Sequence, residues 1–222
     1  MGFRLLAWCA VGLSVASAGQ IEGTIIIQRR LTRPKVTVAA SAYERGAAVR
    51  PDSAGDADPL AFERAHVVIF LEGSLESTPV RAVMNQKNKE FVPDLLAISA
   101  GSTVSFPNLD PIFHNVFSLS KPKEFDLGNY PMNTTRLVTF PKPGIVFVNC
   151  HLHPNMTAVI VVTPNSFFTR SDGNGHFAIA DVPRGEYTVV AWHKAAGFFR
   201  RNISVGDGPV EPVKFLIPVT VP

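Results

Sequence analysis

The chain has 222 residues, of which 46% are hydrophobic and 18% are charged, and its formal net charge is +3. This length and hydrophobic content predict one large or two small folded domains. The charge is too small and too dispersed for a nucleic-acid-binding protein, in which Lys and Arg residues cluster.

The first 18 residues have the features of a secretory signal peptide. Arg4 supplies a positive charge, an apolar stretch runs over residues 5–15, and small residues form a cleavage site near Ala18. The apolar stretch is shorter than the about 20 residues that a membrane-spanning helix needs, and no later segment is long and apolar enough. We therefore expect a periplasmic or secreted protein without membrane insertion.

Short stretches rich in Val, Ile, Phe and Thr recur between Gly, Pro and Asn residues. Helical periodicity is scarce, and 18 Pro and 16 Gly residues are typical of a chain with many turns. These features predict an all-β fold of sandwich or barrel type. The predicted strands have the sequences IEGTIII, KVTVAA, HVVIFLE, STVSF, HNVFSL, RLVTF, GIVFVNC, AVIVV, HFAIA, EYTVVAW and VKFLIP.

Composition and turn residues divide the chain into four regions. A polar, turn-rich stretch over Tyr43–Leu60 predicts a flexible surface loop. A boundary follows the strand AVIVV, and turn residues at 171–175 and 182–185 separate strands beyond it. In chain order, the predicted regions are the signal peptide 1–18, N-terminal strands with the flexible loop 19–64, a first β unit 65–163 and a small β module 164–222.

Signal cleavage would remove Cys9 and leave Cys150 as the cysteine of the mature chain. In an oxidising compartment a cysteine without a disulfide partner is buried, bound to another group, or open to oxidation. The residues around Cys150 therefore indicate its role.

The strand GIVFVNC and the loop after it carry residues with metal-binding chemistry. Alternation along the strand places Cys150 on the same face as two valines, so its side chain is expected to point inward. His153 and Met156 follow at intervals of three residues, which lets a thiolate, an imidazole and a thioether converge. His114 lies upstream at the start of a predicted strand, from which it can pack across the sandwich against this loop.

Two imidazoles, one thiolate and a weak axial methionine are the ligands of a blue-copper electron-transfer site. Copper ligation would also explain why Cys150 has no disulfide partner. Zinc is the alternative metal, with His151 as a fourth ligand, because closed structural zinc sites use Cys or His rather than Met. His151 adjoins Cys150, however, and is expected to point to the opposite side, at the surface.

The loop CHLHPNM, together with the upstream sequence His114-Asn115-Val116, resembles the copper loop of the plastocyanin- and amicyanin-like cupredoxins. The resemblance covers roughly residues 65–163 and implies a Greek-key β-sandwich. It also implies that the amide of Asn115 donates a hydrogen bond to the thiolate. The exposed edge of His153 would be the port for electrons, ringed by apolar residues. The implied ligands of one type 1 copper ion are His114, Cys150, His153 and Met156.

This resemblance implies an exported protein that carries single electrons between redox partners, such as a c-type cytochrome or a periplasmic dehydrogenase. Two other functions are open: a copper carrier or buffer without an electron-transfer role, and a non-metal extracellular binding module. Enzyme activity is not expected. The sequence has no second histidine cluster for another copper centre, and no GxSxG, HExxH or phosphate-loop motif.

The C-terminal segment has a resemblance of its own. The sequence FTRSDGNGHF over 168–177, followed by VPRGEY over 182–187, is similar to carboxypeptidase regulatory-like, transthyretin-like β-sandwich modules. The resemblance implies a binding or spacer module without chemistry of its own. The sequence DGNG lacks the further carboxylates of a calcium loop, so we expect a turn there.

Overall fold

The computed structural model describes residues 19–32 and 58–218. Over these residues the fold is all-β, as the sequence predicted, with one short helix, α1 (Ala61–Ala65). The strands are β1 (Gly19–Ile27), β2 (Val67–Glu72), β3 (Arg81–Val83), β4 (Asn85–Lys87), β5 (Glu90–Val92), β6 (Leu95–Ser99), β7 (Thr103–Pro107), β8 (His114–Ser120), β9 (Lys123–Tyr130), β10 (Thr135–Thr139), β11 (Gly144–Asn149), β12 (Thr157–Thr163), β13 (Phe168–Arg170), β14 (His176–Val182), β15 (Gly185–His193), β16 (Gly197–Val205) and β17 (Val213–Ile217).

Strands β3 to β12 form a β-sandwich, which we call the inner sandwich. Its two sheets have the strand orders β10-β7-β3 and β6-β12-β11-β8-β9, and β4 and β5 form a separate hairpin. Apolar side chains of both sheets share one buried core, which includes Phe106 of β7, Val116 of β8 and Val148 of β11. The inner sandwich is therefore built from one contiguous stretch of chain.

The remaining strands form a second sandwich, which we call the outer sandwich. Its sheets have the orders β14-β1-β17 and β13-β2-β15-β16, and Ile25, Ile69 and Phe215 belong to its core. The strand β1 pairs with β14 antiparallel and with β17 parallel, while β2 lies between β13 and β15. The outer sandwich thus combines strands that precede and follow the inner one.

This pairing differs from the predicted division at residues 65 and 164. The strand β2 was assigned to the first β unit, but among the described strands it pairs with two from the outer sandwich, β13 and β15. Its residues 67–71 are all buried, because Val67, Ile69 and Leu71 face the outer core and Val68 and Phe70 face the other way. Strands covered on both faces have such continuous apolar sequences, and the sequence alone does not say which partner covers each face.

A third apolar layer joins the two sandwiches. Val68 and Trp192, on β2 and β15 of the outer sandwich, cluster with Val159 and Val161 on β12 of the inner sandwich. Meanwhile Ile160, between these two valines, faces the core of the inner sandwich. The two sandwiches are therefore stacked, with β12 contributing to the core on one side and to the interface on the other.

The structure contains all ten predicted strands that lie in the described ranges. The hairpin β4–β5, as well as β3, β6, β9, β13 and β16, was not predicted. The predicted strand KVTVAA, the signal peptide and most of the predicted loop Tyr43–Leu60 lie outside the described residues. No helix within 19–32 and 58–218 is long and apolar enough to cross a membrane.

Candidate metal centre

The seven-residue segment between β11 and β12 carries three of the predicted ligands. The alternation predicted for β11 is confirmed: Val146 and Val148 are buried, and Phe147 between them is exposed. Cys150 continues the buried face and is 4% exposed. The segment then turns, with the backbone N–H of Met156 donating to the carbonyl of His153 at 2.9 Å. The strand alternation thus directs the thiol of Cys150 into the core of the inner sandwich.

His114 approaches Cys150 from the neighbouring strand and not from across the sandwich, as the sequence had suggested. It is the first residue of β8, which lies beside β11 in the same sheet, with Asn149 opposite Phe117. The imidazole of His114 is completely buried. Because β8 and β11 run antiparallel, the start of β8 and the end of β11 meet at one end of the sheet.

The ligand atoms of His114, Cys150 and His153 converge, and all lie within 4.8 Å of one another. The Nδ1 atoms of the two histidines are 3.2 Å apart, and His153 Nδ1 is 3.8 Å from Cys150 Sγ. Bonds of about 2.0–2.3 Å from one ion to nitrogen and sulfur would span separations of this size. The geometry and the chemistry of these donors therefore fit a soft or borderline transition-metal ion.

Met156 lies in the same buried cluster as Cys150. Its side chain is 1% exposed, and both residues belong to the core of the inner sandwich. A thioether is a weak, soft ligand, and in blue-copper sites it occupies the axial position. Its ligand role remains a prediction, while its burial beside the thiol agrees with that prediction.

The second ring nitrogen of His114 is held by a carboxylate that the sequence analysis missed. His114 Nε2 lies 2.8 Å from Asp110 Oδ2, and both residues are buried. Burial alone would raise the pKa of Asp110, but hydrogen bonds from the Lys89 amide, His114 and the Asn88 amide hold it below its ordinary value. Since this carboxylate is ionised, the proton of the contact is on His114 Nε2. The only sequence signal was an acidic residue four positions before the histidine.

The sulfur of Cys150 accepts a hydrogen bond from the backbone. The N–H of Asn115 points to Sγ at 3.5 Å, as the resemblance implied. The side chain of Asn115 is fixed in turn, because its Nδ2 donates to Asp126 at 2.6 Å and its Oδ1 accepts from the His151 N–H at 3.4 Å. Such a donor stabilises a thiolate, and donors of this kind tune the reduction potential of a bound metal.

His151 is directed away from the converging ligand atoms, as predicted. Its ring stacks on Phe117 with a centroid distance of 3.7 Å and an interplanar angle of 7°. Its Nε2 lies 3.4 Å from Asp126, and the side chain is exposed. The zinc alternative that would use His151 as a fourth ligand therefore receives no support from its position.

His153 is the most accessible of the grouped ligand residues. It is half-buried, whereas His114 and Cys150 are buried. Burial, followed by electrostatic interactions with His114 and Lys89, lowers the pKa of His153. A lowered pKa favours the neutral imidazole, which is the form that binds a metal ion through a ring nitrogen.

Comparisons with known proteins give structural matches only. No protein-family model and no curated protein matches the chain. A copper-containing nitrite reductase from Thermus scotoductus matches with a TM-score of 0.36 and 26% identity, over 43% of this chain and 24% of the reductase. A purple cupredoxin from Nitrosopumilus maritimus matches with a TM-score of 0.34 and 21% identity, over 38% of this chain and 99% of its own.

An oxidized mutant of amicyanin is a third match, with a TM-score of 0.36 and 18% identity, over 42% of this chain and 99% of its own. The chain thus spans about a quarter of the nitrite reductase and nearly all of the two small cupredoxins. These TM-scores are low, so the function of this chain has to be inferred from the geometry of its own site. The resemblance of the C-terminal segment to regulatory-like modules remains a prediction.

Proposed function

We propose that this chain is an exported type 1 copper protein that carries single electrons between redox partners. His114, Cys150 and His153 would bind the ion, and Met156 would be its weak fourth ligand. Copper bound there would supply reversible one-electron transfer between its Cu(I) and Cu(II) states. The observation that supports the proposal is the convergence of one sulfur and two Nδ1 atoms within 4.8 Å.

The proposed ligands are held rigidly, which suits a metal ion that must change its charge while its ligands move little. His114 is held on its far side by Asp110, and Cys150 is held by the Asn115 amide. Both ligands sit at the ends of paired strands of one sheet, so their backbones are fixed by the sheet. Ligands that do not move between oxidation states keep the reorganisation cost of electron transfer small.

His153 provides access from the surface. The chain around the site exposes Phe113, one residue before His114, and Leu152, one residue before His153. Apolar surface beside a half-buried imidazole suits brief contact with a protein partner. As partners we propose redox proteins such as a c-type cytochrome or a periplasmic dehydrogenase, with export directed by residues 1–18.

We propose no catalytic turnover for this chain. Within the described residues, three further histidines are paired with carboxylates elsewhere: His66 with Asp94, His151 with Asp126, and His193 with Glu63. The group of potential metal ligands found within the described residues is His114, Cys150 and His153, and these pairs do not belong to it.

The test is the visible spectrum of the protein loaded with Cu(II). We expect an intense thiolate-to-copper absorption that is lost in Cys150→Ser and retained in His151→Gln, a control that changes the neighbouring exposed residue. A colourless wild-type protein, or colour that survives Cys150→Ser, would refute the proposal.

A second measurement separates an electron carrier from a copper carrier or buffer with the same ligands. An electron carrier should have a reversible reduction potential and exchange electrons rapidly with a soluble cytochrome while keeping its metal. Slow exchange together with ready loss of Cu(I) to a chelator would instead indicate a copper carrier.

A further inference from the structure

The turn of the β4–β5 hairpin places a lysine in a conformation that is uncommon for this residue. Its two turn residues, Asn88 and Lys89, both have left-handed backbone conformations, with φ of 56° and 59°. Lysine rarely adopts this conformation, which costs about 1–2 kcal/mol for a residue with a Cβ. Two-residue hairpin loops favour two left-handed residues, whose twist matches that of the strands, so the hairpin itself supports this turn despite the lysine.

The turn directs two consecutive backbone N–H groups at one side chain. Asn88 N–H donates to Asp110 Oδ1 at 2.7 Å, and Lys89 N–H donates to Asp110 Oδ2 at 2.8 Å. Consecutive amides in this arrangement form a concave binding site for an anion, and here the anion is the Asp110 carboxylate. This contact adds to the hairpin geometry in stabilising the turn.

The same carboxylate also accepts the hydrogen bond from His114 Nε2, at 2.8 Å. Asp110 is oriented independently by its own backbone, whose N–H donates to Asn108 Oδ1 at 3.0 Å. Asn108 is buried, and its Nδ2 donates to the carbonyls of Ile112 and Tyr130. The carboxylate thus connects the hairpin turn to the buried imidazole and is fixed from both sides.

We infer that Asp110 is a positioning residue for the metal centre, which it serves by locking His114 in the tautomer with the proton on Nε2. In a neutral imidazole with that proton in place, the lone pair is on Nδ1, which faces His153 and Cys150. The Asn88-Lys89 turn holds the carboxylate in position for this contact. The metal-binding part of this inference rests on the proposed function, but the tautomer part does not.

A purely structural role for Asp110 makes a different prediction. If the carboxylate served only to stabilise the hairpin turn, its loss would lower the stability of the fold without changing the proton position on His114. The tautomer of His114 is therefore the readout that separates the two roles. It can be measured in metal-free protein.

The first experiment is long-range ¹H–¹⁵N correlation spectroscopy of the histidine rings in metal-free, full-chain protein. In the wild type we expect a single His114 tautomer with the proton on Nε2. In Asp110→Asn we expect a mixture of tautomers. A proton on Nδ1 in the wild type would overturn the inference even if the variant did not fold, and an unchanged tautomer in the folded variant would also overturn it.

The second experiment measures copper affinity by competition with a chromophoric chelator. Loss of an outer partner of a metal-binding histidine lowers affinity by about 10–100-fold, and we expect a loss in this range for Asp110→Asn. The matched control is Asp94→Asn, which removes a carboxylate 3.2 Å from the ring of His66, and its affinity should be unchanged.

The outcomes distinguish this inference from the proposed function. If copper binds tightly in the wild type and Asp110→Asn changes neither tautomer nor affinity, the role of Asp110 is refuted and the copper site stands. If the wild type binds no copper but the tautomer depends on Asp110, the copper function is refuted and the positioning of His114 stands.

Discussion

The inner and outer sandwiches each contain a buried histidine beside a buried carboxylate. In the inner sandwich, His114 Nε2 lies 2.8 Å from Asp110; in the outer one, His193 Nε2 lies 3.2 Å from Glu63, without hydrogen-bond geometry. Both imidazoles are completely buried. By residue type and burial the two pairs are nearly equivalent, yet within the described ranges only the inner one belongs to a group of metal-binding atoms.

The difference lies in the other ring nitrogen. His193 Nδ1 accepts a hydrogen bond from the backbone N–H of Ala195 at 3.2 Å, so its lone pair is used. His114 Nδ1 instead faces the Nδ1 of His153, and the sulfur of Cys150 belongs to the same group. A buried carboxylate–histidine pair can therefore contribute to a metal site only where the other ring nitrogen faces further potential ligands.

The outer pair has a structural role. Glu63 Oε1 accepts three hydrogen bonds, from the backbone N–H groups of Leu31 and Thr32 and from the Thr32 hydroxyl. Glu63 belongs to α1, and His193 is the last residue of β15. The carboxylate thus attaches the segment after β1 to the helix and to the sheet of the outer sandwich.

The largest expected effect tests this structural role. Glu63→Ala leaves three donors without their acceptor, so we expect the free energy of unfolding to fall by about 3–5 kcal/mol. The control is Glu72→Ala, which breaks the exposed pair with Arg200 and should cost no more than about 1 kcal/mol. Urea denaturation of both variants measures the difference, and similar losses would contradict it.

The second prediction tests the division of roles between the histidines. Loss of an outer partner of a metal ligand lowers affinity by up to about 100-fold, which corresponds to about 2.7 kcal/mol. His114→Gln removes a proposed ligand itself, so it should lower copper affinity by more than this. His193→Gln should leave the affinity within about twofold of the wild type. Chelator competition provides both values. A comparable loss in the two variants would mean that the pairs do not differ as described.

The third prediction concerns acid. Burial lowers the pKa of His193 below its ordinary 6.5. Burial alone would raise the pKa of Glu63, but hydrogen bonds from Thr32 and Leu31 hold it below 4.5. In both cases the unfolded chain takes up the proton first as the pH falls, so stability should be full above pH 6.5 and decline below it.

This decline can be assigned by comparing variants. In denaturation curves collected across the pH range, His193→Gln should reduce the decline that begins near pH 6.5, because glutamine does not titrate, while His153, whose pKa is also lowered, leaves a remainder. The part that begins near pH 4.5 should remain, since Glu63 is still present. A wild-type stability that rises on acidification would contradict the sign.

The smallest expected effect concerns the β4–β5 hairpin, whose turn contacts Asp110 of the inner pair. Lys89→Gly relieves the left-handed strain but gives the unfolded chain more freedom, so stability should rise by less than about 0.5 kcal/mol. Copper affinity should not change by more than about twofold, because the amide that binds Asp110 is kept. In contrast, Lys87→Gly, within β4, should lower stability by about 0.5–1 kcal/mol. Thermal unfolding and chelator competition check both expectations.

The sequence was sufficient to predict the features that depend on local alternation. The apolar residues of β11 predicted that Cys150 points inward, and the spacing of the following loop predicted that His153 lies near it. The position of His151 outside the group followed from the same alternation. Local periodicity determines which way a side chain points, so these features needed no knowledge of distant contacts.

The features that were missed depend on contacts between distant or irregular segments. The hairpin β4–β5 has the sequence NQK-NK-EFV, whose polar residues are not typical of strands, and it is stabilised through Asp110. The partners of β2 could not be read from an apolar sequence that suits any buried strand. The contact of Asp110 with His114 depends on the shape of the intervening loop, which no periodic pattern predicts.

The split construction of the outer sandwich has a consequence for how the polypeptide acquires its structure. The inner sandwich is complete once β12 has been synthesised, whereas β1 pairs with β14 and β17, which follow β12 in the chain. The inner sandwich can therefore fold before the last strands of the outer sandwich have been synthesised. Truncation before β17 should consequently yield a chain whose ligand-bearing half is folded and whose two ends are not.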